Sequence, residues 1–290
     1  MMNSKLFNWL LFLILCLVWG SSFILMKEGL KELSAYEVAA MRMLSGGVVL
    51  LPFALNSFKR MQRKDLGLLI ISGLLGSFIP AILFCVAETK IDSALAGMLN
   101  ALTPLFVIII GAVLFRTSVP WKKVVGVLIG FGGMLLLFLA QKKGSANSDV
   151  FLASLIVIAT FSYGLNVNLI NRYLKHVASL DIAAIAFVAL IIPATIVLLV
   201  AGFAHHNFSD PSVIRAISAS AVLGIFGTAI ASILFYMLMK RAGPLFSSMV
   251  TYGIPFVAIG WGLLAGETIG QLEIVGLLII LSGVYLANRQ

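Results

Sequence analysis

Ten stretches of the chain carry little but apolar side chains: residues 7–26, 34–55, 66–87, 93–115, 121–140, 150–170, 180–203, 213–239, 245–266 and 271–288. Each is close to the length of about 20 residues that an α-helix needs to cross about 30 Å of hydrocarbon. The pattern therefore predicts an all-α integral membrane protein with ten transmembrane helices. Brief polar stretches punctuate them, among them NSFKRMQRKD (56–65), QKKGSANSD (141–149) and HHNFSDPS (205–212), and these read as loops. The second is the natural boundary between two halves, residues 1–143 and 144–290, of one integrated membrane domain. The first apolar run has a lone lysine before it and no small-residue cleavage site after it, so it reads as a span and not as a removable leader.

The apolar pattern also repeats, and internal repeats decide a fold before local features do. MLNALTPLFVIIIG (98–111) lies over MVTYGIPFVAIGWG (249–262) at an offset of 151, with Met98 on Met249, Pro104 on Pro255, Ile108 on Ile259 and Gly111 on Gly262. The same register joins GLLGSFIPAILF (73–84) to GIFGTAIASILF (224–235). At an offset of 144, Val38-Ala39-Ala40 meets Ile182-Ala183-Ala184 and Trp19-Gly20 meets Tyr163-Gly164; at 150, Gly126 meets Gly276 and Gly133 meets Gly283. Five helices per half is an odd number, so the second half enters the membrane from the opposite face, and the expected architecture is a 5+5 inverted repeat. Such repeats mark secondary transporters, in which the substrate is held near the midplane at the repeat interface and one part rocks against another.

Composition agrees with the membrane reading. The chain is 61% hydrophobic and 11% charged, with a mean hydropathy of +1.11, whereas soluble domains are roughly 25% charged. The net charge of +9 would suggest nucleic acid in a soluble protein. Here the basic residues fall at segment ends, where they set orientation, so no nucleic-acid partner is expected. With the N-terminus cytoplasmic, the cytoplasmic segments hold thirteen of the 20 Lys and Arg residues, the outer segments six, and one, Arg42, lies within a span. That bias puts both termini in the cytoplasm. Cys16 and Cys85 fall within apolar segments, where thiols behave as small hydrophobes, and no disulfide is expected.

Few polar residues lie inside the spans, which makes each informative. Arg42 is about eight residues into the second span, roughly 12 Å deep at 1.5 Å per residue, and a charge at that depth faces a cavity or a partner. It reads either as an anion-binding point or as a clamp onto backbone carbonyls or Glu37. Asn100 and Thr103 precede Pro104, and Thr251 and Tyr252 precede Pro255. Because proline removes a backbone donor, both places bring freed carbonyls close to polar side chains, as a cavity lining or as locally satisfied kinks. Tyr163 and Asn166 are three apart and share a helix face, whereas Asn168 points elsewhere. With Trp19, Ser21 and Ser22 of the first span they suit an amphipathic small molecule or interhelical hydrogen bonding. Glu88 and Asp92, with Lys90 between them, read as a gating or coupling pair or as solvated loop charge. No carboxylate is expected at mid-membrane, which leaves facilitated diffusion open. The small-xxx-small glycines of GVLIG (126–130) and GLLAG (262–266) suit packing within the monomer or a homodimer. His205 and His206 lack further ligands at metal spacing. With no nucleotide loop, nucleophile triad or metal-ligand helix, no cofactor is expected, and neither an ATP-driven pump nor a membrane enzyme is supported.

WGSSFILMKEGL, AAMRMLSGGVVLLPF, LNALTPLFVIIIGAVLF and GVLIGFGGMLLL in the first half, with YGIPFVAIGWGLLAGETIG and GLLIILSGVYL in the second, resemble the EamA-type transporters of the drug/metabolite transporter superfamily over nearly the whole chain. The resemblance implies a carrier of the bacterial inner membrane that exports amino acids, related metabolites or amphipathic compounds. Glu267 in LLAGETIG stands where the family carries a glutamate, while the matching place after the fourth span holds Arg116. The expected protein is thus a secondary transporter working by alternating access on a small molecule within the lipid bilayer. Its cavity is lined from segments 1, 2, 4, 6 and 9 by Trp19, Arg42, Asn100, Tyr163, Asn166, Thr251 and Tyr252; segments 3 and 8 are the next candidates. The alternatives are a nucleotide-sugar or sugar-phosphate exchanger, which demands more than one inward cation, and a non-transporting membrane enzyme or scaffold.

Overall fold

The computed structural model describes residues 4–117, 120–140 and 148–288, and among them there is helix and no strand. Helices α1 (Ser4–Gly29), α2 (Ala35–Arg60), α3 (Arg63–Gly73), α4 (Ile79–Ala87), α5 (Ser93–Asn100), α6 (Thr103–Val113) and α7 (Trp121–Ala140) come first. They are followed by α8 (Ser148–Tyr173), α9 (Ser179–Ala189), α10 (Ile191–Ala201), α11 (Pro211–Val222), α12 (Ala231–Ser248), α13 (Val250–Leu264) and α14 (Gln271–Asn288). Eight helical stretches are long and apolar enough to cross a membrane, and two further apolar helices, Val124–Leu137 and Gln271–Leu286, are shorter. Large apolar side chains such as Leu17, Ile192 and Val200 point outward, as they do where lipid is the solvent. The chain is a multi-pass membrane protein.

Five predicted segments are not continuous α-helices, among them 245–266, which breaks at Met249 between α12 and α13. The stretch 66–87 changes to a π-helical turn at Leu74–Phe78 between α3 and α4. Pro80 there has no N–H to return to the carbonyl of Gly76. The stretch 93–115 breaks between α5 and α6, just before Pro104, and 180–203 breaks at Leu190, three residues before Pro193. A second π-helical turn, Leu223–Ile230, joins α11 to α12, and there the Thr228 hydroxyl donates to the Leu223 carbonyl. The polar stretch 56–65 is mostly helix, because the last turn of α2 carries Lys59 and Arg60 beyond the apolar run; only Met61 and Gln62 separate α2 from α3. The boundary loop predicted at 141–149 lies outside the described residues up to position 147.

Helix α2 starts on a capping box in which Ser34 Oγ accepts the Glu37 N–H and the Glu37 carboxylate accepts the Ser34 N–H at 2.7 Å. α2 lies against α9 and α10, α1 against α13, α11 and α12, α8 against α4 and α6, α5 against α13, and α7 against α14. Glycines set the closest approaches. A Cβ on Gly73 would stand 2.9 Å from the Ala186 carbonyl oxygen, and one on Gly224 would collide with the Arg42 carbonyl. A Cβ on Gly133 would stand 2.7 Å from the Gly276 oxygen, and one on Gly283 would stand 2.5 Å from the Gly126 oxygen. The GVLIG glycines are therefore spent on contact with α14 within the chain. Polar contacts tie both ends of the bundle: the Arg60–Asp181 ion pair (2.7 Å) and a His176–Asp65 contact (2.8 Å) at one, a His206–Glu37 contact (3.0 Å) and Lys27 with Asp92 and Glu267 (3.5 Å each) at the other.

Candidate functional site

The elements surround a cavity of about 100 Å³ lined from α1, α2, α4, α5, α6, α8, α12, α13 and both π-helical turns. This is well above the roughly 10–15 Å³ that a cavity needs to admit one water, so it holds several. Six of the seven residues proposed from sequence line it: Trp19, Arg42, Asn100, Tyr163, Asn166 and Thr251. Tyr252 is half-buried beside Thr251 and is not among the lining residues.

Among the described residues, Arg42 is the only charged one in the lining. Its single hydrogen bond among the described residues runs from Nε to Thr228 Oγ1, which leaves the two terminal nitrogens of the guanidinium for a ligand. The clamp onto Glu37 does not form, because the Glu37 carboxylate is taken by the Ser34 N–H and by His206 Nε2. The π-helical turn sets this geometry: it advances Thr228 toward α2, and Gly224 lets the two backbones meet.

Aromatic rings form the walls. Trp19 donates from Nε1 to the Gly227 carbonyl (2.9 Å) and packs on Phe235, with ring centroids 5.2 Å apart. Tyr163 stacks on Phe84 at 6.2 Å. The amides differ in role. Asn166 accepts from Ser72 Oγ at 2.7 Å with the Tyr236 hydroxyl beside both side chains, whereas Asn168 spends its amide on the carbonyls of Val107 and Gly164, both at 2.9 Å. The Asn100 carbonyl freed by Pro104 accepts from Thr103 Oγ1 at 2.9 Å, so the kink is satisfied locally and lines the cavity as well. The reasoning from sequence missed Thr228, Ser232 and Tyr236 on the second π-helical turn and α12. No proline or charge marks them, and the signal available was the image of Gly76-Ser77 in Gly227-Thr228 at the offset of 151.

Glu88 and Asp92, read together from sequence, separate in the structure. The Asp92 side chain is 56% exposed. Glu88 is 2% exposed and neither of its carboxyl oxygens has a hydrogen-bond partner among the described residues, which corrects the solvated-loop reading for that residue. Burial pushes the Glu88 carboxyl well above the usual carboxylate range, against the lowering pull of Lys27 and Arg42. Among the described residues no group of three or more His, Cys, Asp or Glu is placed to share a metal ion.

Comparison with known proteins agrees with a membrane carrier. The chain is 26% identical to the uncharacterized inner membrane transporter YedA of Escherichia coli over 280 residues, which is 94% of this chain and 88% of that one. It is 25% identical to a probable amino-acid metabolite efflux pump of Salmonella typhimurium over 288 residues, 94% of this chain and 92% of that one. One crystal structure shares the fold with a TM-score of 0.66 at 17% identity, over 96% of this chain and 95% of the other. The model of the EamA-like transporter family matches twice, over residues 6–139 and 150–289. Since those two matches take in nearly all of the sequence, the chain belongs to the EamA-like transporter family.

Proposed function

We propose that this protein is a ten-helix secondary transporter made of two inverted five-helix repeats, residues 1–143 and 144–290, which exports amino acids or related small amphipathic metabolites by alternating access. The observation that carries the reading is the cavity itself, with one guanidinium, several hydroxyls and amides, and aromatic walls. An amino acid offers one carboxylate for Arg42 and an apolar body for the rings. A nucleotide sugar or sugar phosphate brings more negative charge than one cation balances, and among the described residues no second cation lines the cavity.

Several contacts support the inverted repeat. Gly73 against Ala186 and Gly224 against Arg42 are images of each other, since 73 and 224 differ by 151 and 42 and 186 by 144. Gly133 against Gly276 and Gly283 against Gly126 are images at an offset of 150. Lining residues pair in the same way: Trp19 with Tyr163, Ser22 with Asn166, Ser77 with Thr228, and Asn100 with Thr251. The double match of the family model fits the same division. The distribution of lysine and arginine favours cytoplasmic termini, and the inner membrane is the location named for the Escherichia coli relative. Trp19, Arg42, Asn100, Tyr163, Asn166 and Thr251 are the proposed substrate contacts, with Tyr252 supporting Thr251 from outside the lining and Glu88 as a coupling group.

The test is counterflow in proteoliposomes loaded with a mixture of the twenty common amino acids. Selective release of one compound, accelerated by the same compound outside, is expected of alternating access. Release no faster than from protein-free vesicles, with folded protein in the membrane, would overturn the reading.

A further inference from the structure

Helix α2 lies beside α9 and α10, and the polar contacts at its two ends make the neighbours antiparallel. Glu37, in the first turn of α2, meets His206, which follows α10, at 3.0 Å. Asp181, in the first turn of α9, accepts from Ser57 Oγ (2.5 Å) and from the Arg60 guanidinium (2.7 Å) in the last turns of α2. Both acids are buried. They are images of each other at the offset of 144 that lays Val38-Ala39-Ala40 over Ile182-Ala183-Ala184. The pair of stretches is thus held by two crossed clasps, one at each end, and none of the proposed substrate contacts takes part in either.

The two clasps differ in chemistry. Asp181 holds two donors of one helix, and its cation is an arginine, a side chain that does not lose its proton in proteins. One Glu37 oxygen is committed to the Ser34 N–H of its own helix cap at 2.7 Å, so a single imidazole contact carries the tie across to α10. Local structure aims that imidazole. Gly202 ends α10 in the left-handed region (φ +88°), the chain makes a 3₁₀ turn at Phe203–His205, and the His206 ring packs edge-on against Phe203 with centroids 5.9 Å apart. The His206 side chain is 24% exposed and that of Glu37 3%. Solvent therefore reaches the ring while the carboxylate stays out of water.

The other titratable groups at this end come from the turn between α1 and α2, from α2, from α11 and from the histidine's own turn. Glu32 lines a pocket with Glu37, His205 and His206. His205 Nδ1 meets the Gly202 carbonyl at 3.1 Å, within its own turn. Glu28 is paired with Lys31 and with Arg215 of α11, and Tyr36 points outward. Glu37 is the carboxylate that His206 contacts.

We infer that the His206–Glu37 contact is a pH-responsive latch at the proposed outer end of the α2 and α9–α10 pair, fastened by acid outside and loosened by alkali, while the Arg60–Asp181 clasp at the inner end holds in both. Imidazole is the side chain whose charge changes between pH 5 and 8. Charged, it gives the buried carboxylate a charge-assisted hydrogen bond; neutral, it gives an ordinary one. The added hold is present on the acid side and is lost as the pH rises. Arg42 lies about one and a half turns along α2 from Glu37, so the latch bears on the helix that carries the cavity's cation. It governs how readily the outer end opens and moves no proton with the cargo. The latch stands on these contacts, and its part in export rests on the proposed alternating access.

Hydrogen exchange of the full-length protein in lipid nanodiscs, corrected for the intrinsic pH dependence of the amides, tests the latch without a cargo. Between about pH 6 and about pH 8, opening of the Phe203–His206 turn and of the first turn of α2 is expected to rise about threefold to tenfold, with no change at the last turn of α2. His206→Gln, a neutral donor, is expected to show no pH difference. His176→Gln, which removes the histidine contact to Asp65 at the inner end, is expected to keep the outer response. Equal opening at both pH values in the wild type, an undiminished response in His206→Gln, or an equal response at the inner end would overturn the latch. In proteoliposomes with the same pH on both sides, exchange of labelled compound is expected to be about threefold to tenfold slower at the acid pH in the wild type and to lose that difference in His206→Gln. A difference of the same size in His206→Gln would overturn the latch's part in transport. Absence of any exchange in the wild type would overturn the transport reading, and the hydrogen-exchange result would still decide the latch.

Discussion

Replacing Arg42 and its one hydrogen-bond partner separately tells a binding point from a structural clamp. If the guanidinium holds a cargo carboxylate, Arg42→Ala loses charge-assisted hydrogen bonds worth about 1.5–3 kcal/mol, which raises the apparent Kd roughly 10- to 150-fold. Thr228→Val removes the acceptor of Arg42 Nε and leaves the charge in the cavity. Its cost is that of one ordinary hydrogen bond, about 1 kcal/mol, or roughly fivefold. Arg42→Lys keeps the charge and loses the planar fork, so it should fall between the two. The apparent Kd is read from the concentration dependence of counterflow, and Tm of the purified protein is measured in parallel. A clamp predicts no such order: Arg42→Ala and Thr228→Val would lower Tm alike and change affinity alike. Equal affinities in all four proteins would remove Arg42 from the cargo site.

The packing of α7 on α14 offers a control within two neighbouring residues: Gly133→Ala forces a Cβ onto the Gly276 and Ile280 backbone and should cost about 1–3 kcal/mol, while Gly132→Ala, with nothing within 4 Å, should leave Tm unchanged or higher; a thermal scan of both decides it. Asn168→Leu should lower Tm by the loss of its bonds to Val107 and Gly164, about 0.6–1.7 kcal/mol on membrane-protein scales, and leave the identity of the released compound unchanged, whereas Asn166→Leu should change which compounds compete in counterflow. Glu267→Ala uncaps α5 and releases Lys27, so Tm should fall by the about 0.5–2 kcal/mol of a lost helix cap, and hydrogen exchange at Ser93 and Ala94 should accelerate.

Most of the fold was legible because membrane helices leave a coarse signal: long apolar runs, and charges where the chain emerges. The breaks within those runs were less so. Pro80, Pro104 and Pro193 mark three of them, but the π-helical turn at Leu223–Ile230 has no proline, and only the match of Gly224 and Gly227 to Gly73 and Gly76 pointed to it. The burial of Glu88 was not legible for a different reason. Its neighbours Thr89, Lys90 and Asp92 are those of a solvated loop, and nothing local records that Lys27 and Glu267, distant in sequence, close over the turn. Arg42 was legible at once, since a cation two turns inside a span has few bland explanations, yet its partner Thr228 lies 186 positions away.

The contacts that keep the proposed repeat and the ones that break it divide by function. Positions of close approach hold glycine in both halves: Gly73 and Gly224 against backbone, Gly76 and Gly227 against the Asn166 and Ser22 side chains, and Gly20 and Gly164 against Val257 and Phe106. A Cβ there would push the neighbouring elements apart. Positions that face the cavity keep only their polarity or bulk, as in Trp19 and Tyr163 or Asn100 and Thr251. Arg42 keeps nothing, for its image is Ala186, and Tyr236 answers to Cys85. The proposed alternating access would need a framework with the same mechanics in both directions, a role these glycines suit. It also needs a site that binds one orientation of one kind of molecule, and two equal cations across a cavity of about 100 Å³ would hold a dianion. On the proposed reading, a single cation at Arg42, with Ala186 at its image, suits a single carboxylate, and the shared glycines suit a framework that moves in both directions.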